Sequence, residues 1–448
     1  MRPKGPLAWL AIAVAALLVT GSLSAYGYYW NLQSSIGHED SDRLLGKDRP
    51  KKLNGALNIL MLGSDSRKGA NAKYGRGYRN KVPASDTMIV LHLSPGGRQA
   101  MGITFPRDLM APIPSCTRED GTRSASSTLA MLNEAIGRAG PSCTMKTIEK
   151  LSGIHLDHFV QLDFVGFKGI TKAVGGVWVC LPNDVNDRKS GLHMSQGRHR
   201  VQGEDALAYV RSRTGFGDGS DTQRIKRQQR FLGSLANQAM SGGVLANPAR
   251  LNALLSASAK SLTTDRALSV GDMLKIAQSM RGLTAGKLRF VTVPSRPWSR
   301  DANRVELTEA AAPFFEAVRE DRTVPAPAPK PTVPPGKVRV YNATAAAGQA
   351  RTTAAALKSR GYTVVKVGTL TRPAPTQIRY GSGARQQAEE LAKLVPGAAV
   401  KPRKGGAPDV VDLVIGAGFP QLKDASGGIP HLQGETRASD DICDKGQA

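Results

Sequence analysis

Leu57–Met110 reads LNILMLGSDSRKGANAKYGRGYRNKVPASDTMIVLHLSPGGRQAMGITFPRDLM, and three short apolar runs stand out in it: Leu57–Leu62, Thr87–Leu93 and Met101–Phe105. Each is rich in β-branched and aliphatic residues and bounded by Gly, Pro, Ser or Asp, which predicts strands. Ser94–Gln99 (SPGGRQ) joins the second run to the third through a tight Pro-Gly-Gly turn, which predicts a hairpin. With the first strand parallel to the third, the segments Gly63–Arg67, Ser85-Asp86 and Pro106–Asp108 leave one sheet along one edge. Two or three carboxylates, Asp65 and Asp86 among them, and Arg107 then share a pocket that suits a metal and a phosphate. Magnesium takes one or two carboxylates and completes its shell with water and phosphate oxygens, and arginine matches those oxygens with a planar fork. Aspartate is also an ordinary turn residue, so the spacing alone leaves both roles open.

A chain of 448 residues accommodates two or three domains. Its 61 basic and 36 acidic residues give a formal charge of +25, which implies a polyanionic neighbour: nucleic acid, an anionic membrane surface or an acidic wall polymer. Location narrows the choice. Residues 1–6 are a short basic start with Arg2 and Lys4, and Leu7–Tyr29 is an uncharged, mostly apolar run ending in Tyr26, Tyr28, Tyr29 and Trp30. This predicts a single transmembrane helix in the cell membrane with a cytoplasmic N-terminus and everything after Asn31 outside. A signal peptide cleaved near Ser22-Leu23-Ser24 competes, but the run exceeds the usual apolar length of such a peptide. Either way no nucleic acid partner is expected.

Cys116 and Cys143 bracket a polar insertion and are expected to pair, whereas Cys180 and Cys443 are left open. No C-x-x-C spacing points to zinc. His155, His158 and His193 read as surface or packing residues rather than ligands.

Residues 30–56 read as a polar stalk. From 57 the chain alternates: helical spacing over Leu129–Ile136 and Met145–Leu151, a strand at His158–Phe164, a helix over Gly166–Val174, a strand at Val177–Leu181 and a loop over 183–203. A short helix at Glu204–Ala208 leads to Tyr209–Arg213, where an extended chain would put Arg211 and Arg213 on one face. A long helix from about Thr222 sets Arg224 and Gln228 four apart, with Ile225, Phe231, Leu232 and Leu235 buried and Arg227 and Arg230 to either side. Amphipathic helix continues to about Gly282, followed by a strand at Leu288–Val293 and a last helix at Leu307–Arg319. The fold class is mixed α/β, a central mixed sheet flanked by helices over residues 57–322. Residues 323–336 are a Pro/Ala-rich linker. Residues 337–420 repeat Arg-x-x-Ala-x-x-Leu at Arg351 and Arg385, each between strands, predicting a small α/β module of two βαβ halves. Residues 421–448 are expected to be disordered.

Together the motifs resemble the LytR-CpsA-Psr family. They are Ile59–Arg67, Ser85–Met88, Phe105–Asp108, Leu132–Ala135, Asp163–Phe167 with Val174–Val177, Gly203–Arg213 and Asp221–Gln229, in family order. The C-terminal module resembles the LytR-type domain often appended to these proteins. The resemblance implies a membrane-anchored phosphotransferase that moves a glycopolymer from a polyprenyl-pyrophosphate carrier onto peptidoglycan, as a phosphodiester at muramic acid O6. It also implies that Asp65 and Asp86 hold magnesium, with manganese as an alternative. Arg107, Arg211, Arg213 and Arg224 would grip the pyrophosphate, supported by Gln228, and Asp86, Arg107 and Arg213 would carry the chemistry. Leu132, Ile136, Phe159, Val160 and Phe164 would line the lipid tail. Two positions depart from the family pattern, Pro83-Ala84 and Met131, where many members carry a basic residue; Arg76, Arg79 or Lys81 would replace the first. A hydrolase of the same lipid pyrophosphate and a non-catalytic wall-binding or regulatory membrane protein are the alternatives.

Overall fold

The computed structural model describes residues 5–65, 69–74, 85–212, 216, 221–241, 244, 247–280, 283–322, 336–344, 348–358, 362–395, 397–403, 405, 407–417, 419, 422, 435–440 and 443. They fall into two compact units, one reaching to Asp321 and resuming after residue 430, the other spanning Arg322–Pro430.

The first unit opens with α1 (Pro6–Ser35), β1 (Gly37–Glu39), α2 (Ser41–Leu45), β2 (Leu57–Ser64), β3 (Ser85–Leu93), β4 (Ala100–Phe105), β5 (Met110–Ile113) and β6 (Ser127–Met131). It continues through α3 (Glu134–Ser152), β7 (His158–Leu162), α4 (Phe164–Ala173), β8 (Val177–Leu181), β9 (Val185–Asp187), β10 (Leu192–Met194), β11 (Gly197–Val201) and α5 (Gly203–Arg211). Then come α6 (Asp221–Ser241), α7 (Pro248–Ser258), β12 (Leu262–Asp265), α8 (Val270–Ser279), β13 (Leu288–Thr292), β14 (Ser295–Trp298), β15 (Asp301–Leu307) and α9 (Ala311–Arg319). The second unit holds β16 (Lys337–Asn342), α10 (Gln349–Lys358), β17 (Thr363–Thr369), β18 (Gln377–Tyr380), α11 (Arg385–Leu394), β19 (Ala399–Pro402) and β20 (Val410–Ile415). The chain returns to the first unit with β21 (Thr436–Arg437).

The main sheet runs β1-β12-β7-β2-β3-β4-β13-β21. β3 is antiparallel to both β2 and β4, so β2 and β4 run the same way and their C-terminal ends meet the start of β3 at one edge. Side chains alternate between the faces. One face carries Leu60, Leu62, Met88, Val90, Ile103, Phe105 and Phe159, all fully buried, and Phe105 stacks on Phe315 of α9. The other carries Met61, Leu91, Val160 and Leu162, which stay half-buried. On that second face Leu232, Ala236 and Met240 of α6 pack against Leu93, Ala100 and Leu288. Gly102 is required there because a Cβ would stand 2.5 Å from the Phe290 ring.

The predicted hairpin forms as expected, and so does the Cys116–Cys143 disulfide; the pair left open, Cys180 and Cys443, is also bonded. In the second unit two parallel strand pairs, β16–β17 and β18–β19, flank β20, and Ala354, Leu357, Ala388 and Leu391 of the repeated motif share its core.

Several expectations are corrected. Residues 30–56 are not a stalk: Leu32, Ile36, Leu44 and Leu45 are buried, and β1 is a member of the sheet. Leu129–Met131 belongs to strand β6, paired with β5, rather than to a helix. The loop predicted at 183–203 contains the hairpin β9–β10 and the strand β11 on β8. Helix α5 continues through Arg211, so the extended Tyr209–Arg211 is wrong. β12 interrupts the supposed continuous helix, and β14–β15 precedes α9. The tail is ordered where it is described: β21 pairs with β13, and Arg289 and Glu435 form a buried ion pair.

Candidate functional site at the strand ends

The edge formed by the ends of β2 and β4 and the start of β3 gathers the predicted acidic and basic residues. The β2–β3 register jumps from Gly63↔Thr87 to Ser64↔Ser85, so Asp86 is the extra residue of a β-bulge. A bulge re-aims a side chain out of the ladder. This explains why the Asp86 side chain is 49% exposed at the head of an otherwise buried strand. Asp65 follows directly on β2 beside this bulge and is half-buried. Ser85 fixes the bulge by donating its hydroxyl to the carbonyls of Gly63 and Thr87, at 3.2 and 2.9 Å.

Arg107, just past β4, forks between two carboxylates. Its Nη1 lies 2.7 Å from Asp86 Oδ1 and its Nε 3.2 Å from Asp108 Oδ2. The turn is fastened from behind by the Leu132–Ala135 segment, where Asn133 N donates to the Arg107 carbonyl and Leu132 N to that of Leu109. Arg304 on β15 approaches Asp108 from the other side, at 3.9 Å.

Helix α6 brings the next arginine. Gln229, buried, donates to Thr104 Oγ1 at 3.1 Å and Thr292 Oγ1 at 3.0 Å, while the following turns run down the sheet towards Ala100 and Leu93. The first turns of α6, with Arg224, therefore lie at the end of β4 that carries Arg107. Arg224 is buried. Gln228 reaches the Val210 carbonyl at 3.4 Å and ties α6 to α5, whose last residue is Arg211. The Arg211 guanidinium lies 4.9 Å from the Phe164 ring centre and 5.5 Å from that of Tyr74, cation–π contacts that orient it.

The expected flanking position of Arg227 is corrected. It is buried, donates to the Ser212 carbonyl and sits 4.2 Å from the Phe216 ring centre. Burial lowers its pKa to about 10, so it stays charged at neutral pH. It pins the chain that enters α6. Arg213, Arg76, Arg79 and Lys81 lie outside the described residues.

Tyr74 ends a 3-10 turn, Gly69–Tyr74, which is held over α4 and α5. Its hydroxyl donates to Glu204, which also receives Lys73 Nζ at 2.6 Å and Lys168 Nζ at 2.9 Å. Partial burial pushes the Glu204 carboxyl up, but the bonds from Lys73, Lys168 and Tyr74 carry it to about 2. Asn71 adds a bond to Asp163 Oδ2 at 2.7 Å, and Asp163 in turn caps α4.

The five candidate lipid-contacting residues are not brought together. Phe159 faces the fully buried side of the sheet and Val160 the half-buried side; Leu132 and Ile136 are core residues near the Arg107 turn, and Phe164 packs on Tyr74. Sequence reasoning placed Asp108 at the same strand-end edge, where Arg107 meets it, but missed Arg304, the buried role of Arg227 and the Glu204 cluster. Only Arg227 and Glu204 carried a signal, their place inside the quoted motifs.

The LytR_cpsA_psr family model matches residues 28–319, and a LytR cell envelope-related transcriptional attenuator model matches 337–419. The chain is 28% identical over 394 residues to the cell wall biosynthesis protein LcpA of Corynebacterium glutamicum, covering 80% of this chain and 74% of that one. It is 26% identical over 324 residues to the polyisoprenyl-teichoic acid–peptidoglycan teichoic acid transferase TagV of Bacillus subtilis, covering 69% and 76%. Among solved structures, a LytR-Csp2A-Psr enzyme from Actinomyces oris aligns with 22% identity over 63% of this chain and 95% of that one, with a TM-score of 0.48. The first family model spans most of the chain and takes in every residue of the strand-end cluster; the protein belongs to the LytR-CpsA-Psr family.

Proposed function

We propose that this protein transfers a lipid-linked glycopolymer to peptidoglycan at the strand-end site, outside the cell membrane in which α1 is anchored. The observation that carries the reading is the convergence of Asp65, the bulged Asp86, Arg107 and the first turns of α6 at one edge. The half-buried apolar side chains Met61, Leu91, Val160 and Leu162 lie on the adjoining face. An arginine-lined edge beside an apolar surface suits a pyrophosphate attached to a polyprenyl chain, and relatives named as teichoic acid transferases support the substrate class.

The acceptor is a sugar hydroxyl, muramic acid O6. Its oxygen bonds to the phosphorus that bears the glycopolymer, the P–O bond to the second phosphate breaks, and polyprenyl phosphate leaves. Asp86 takes the hydroxyl proton. Such a transfer is governed by neutralising and positioning oxygens, and Arg107, Arg211 and Arg224 do this with guanidinium groups that stay charged. Asp65 and Asp86, carboxylates on neighbouring strand ends, fit the small carboxylate set magnesium prefers; among the described residues no larger acidic or histidine cluster competes. When bound, the ion would screen phosphate charge.

The test is a reconstituted assay with a labelled polyprenyl-pyrophosphate glycan, with and without peptidoglycan acceptor. Polymer bound to the acceptor is expected, with loss of about 10²-fold or more in Asp86→Ala. Release of free glycan phosphate regardless of acceptor would establish the hydrolase instead, and unaltered wall attachment in cells carrying Asp86→Ala would end the enzymatic reading.

A further inference from the structure

The outer end of α1 is fixed to the domain by contacts that a simple tether would not make. Tyr28 Oη lies 2.6 Å from Ser256 Oγ and accepts from Asn252 Nδ2 at 2.8 Å, both on α7. One turn on, Gln33 Oε1 accepts from Val270 N at the start of α8 at 2.9 Å. Between these bonds Leu32 and Ile36 are buried against Ala259, Leu262 and Val270. Val160, Leu162, Leu255, Met273 and Leu274 surround this cluster and stay half-buried.

This docking sets a height. Leu7–Tyr29 at 1.5 Å per residue is about 34 Å long, close to the roughly 30 Å of a bilayer's hydrocarbon layer. Tyr26, Tyr28, Tyr29 and Trp30 then fall at the outer interface, where such side chains settle. A helix bonded to the Tyr28 hydroxyl lies at the same depth. α7 suits that depth: it has Arg250 and Lys260 exposed near its two ends, cations of the kind that lipid phosphates attract. Val160 and Leu162 belong to the same sheet face as Met61 and Leu91, so the cluster at α1 is continuous with the surface leading to the strand ends.

We propose that α7 rests in the outer headgroup layer and that the end of α1, α7 and α8 frame the port through which the carrier's lipid chain passes from the bilayer onto the half-buried face of the sheet. This rests on the lipid-linked substrate proposed above. The anchoring helix is then part of the substrate path as well as a tether.

The test uses the full chain in vesicles of phosphatidylcholine and phosphatidylglycerol. All four cysteines are in disulfides, so Ala253→Cys on α7 provides a single free thiol for an environment-sensitive fluorophore. Ala302→Cys, exposed on β15 in the separate β14–β15 hairpin, serves as reference. Quenching by lipids brominated near the headgroup is expected at residue 253 and not at 302; equal, solution-like quenching at both overturns the proposal whatever the enzyme's substrate. A second arm inserts a flexible Gly/Ser segment between Asn31 and Leu32. Transfer from a long-chain donor embedded in the vesicles is expected to fall at least tenfold, with transfer from a short-chain, water-soluble donor unchanged. Unchanged long-chain transfer, or equal loss with both donors, overturns the port. If the unaltered protein transfers neither donor, the functional reading fails, and the quenching arm alone then decides where α7 lies.

Discussion

Arg107 stands between Asp86 and Asp108, and its geometry makes it more than a positive charge. Arg107→Lys keeps the charge but loses the fork, so transfer is expected to fall about 10²-fold while the thermal midpoint moves little; initial rates and a melting curve on the same sample check both. Arg227 has the opposite profile. It is buried under Phe216 and holds the Ser212 carbonyl, so Arg227→Met is expected to cost about 2 kcal/mol in stability, read from the urea midpoint. At this scale Asp65, Asp86 and Arg107 were legible because strand ends follow from apolar alternation and a tight turn. Arg304 was not, because nothing in its neighbourhood says that β15 will lie beside Asp108. The bulge at Asp86 was invisible for a related reason: it is a mismatch between two strands and has no signature in either one.

The elements that were misread are short strands whose partners are distant in sequence. Leu129–Met131 has helical spacing but is held as β6 by Met110 and Ala111, and β12 lies in helix-rich sequence but pairs with β7 and β1. Tertiary pairing outweighs local preference in such cases. The β7–β12 junction also carries a titrating group. Burial lowers the His158 pKa, but Asp265, at 2.9 Å, raises it more, leaving it above its ordinary value near 6.5. The stabilisation from protonated His158 is therefore complete below about pH 6.5 and is lost as pH rises through the folded-state value. Melting temperatures measured between about pH 5.5 and 8.5 should fall more steeply in the wild type than in His158→Asn. A parallel slope for the two proteins would refute the pairing.

For the molecule as a whole, composition and the uncharged N-terminal run indicated a membrane anchor, a mixed-sheet body and a C-terminal α/β module, because each depends on patterns many residues long. The role of the tail was hidden, since β21 is two residues and its partners lie more than a hundred positions away. Cys443→Ser is expected to cost about 2–4 kcal/mol and to speed amide exchange in β21, measured by mass spectrometry under mild denaturant. The Cys180–Cys443 bond also changes what a protease can accomplish on this chain. Because the second unit is inserted between Asp321 and Glu435, a single cut on either side of it leaves two fragments that remain covalently joined. Such a nicked enzyme should migrate as one band on a non-reducing gel and as two after a thiol is added. Shedding the module would take two separate cuts, or one cut together with reduction.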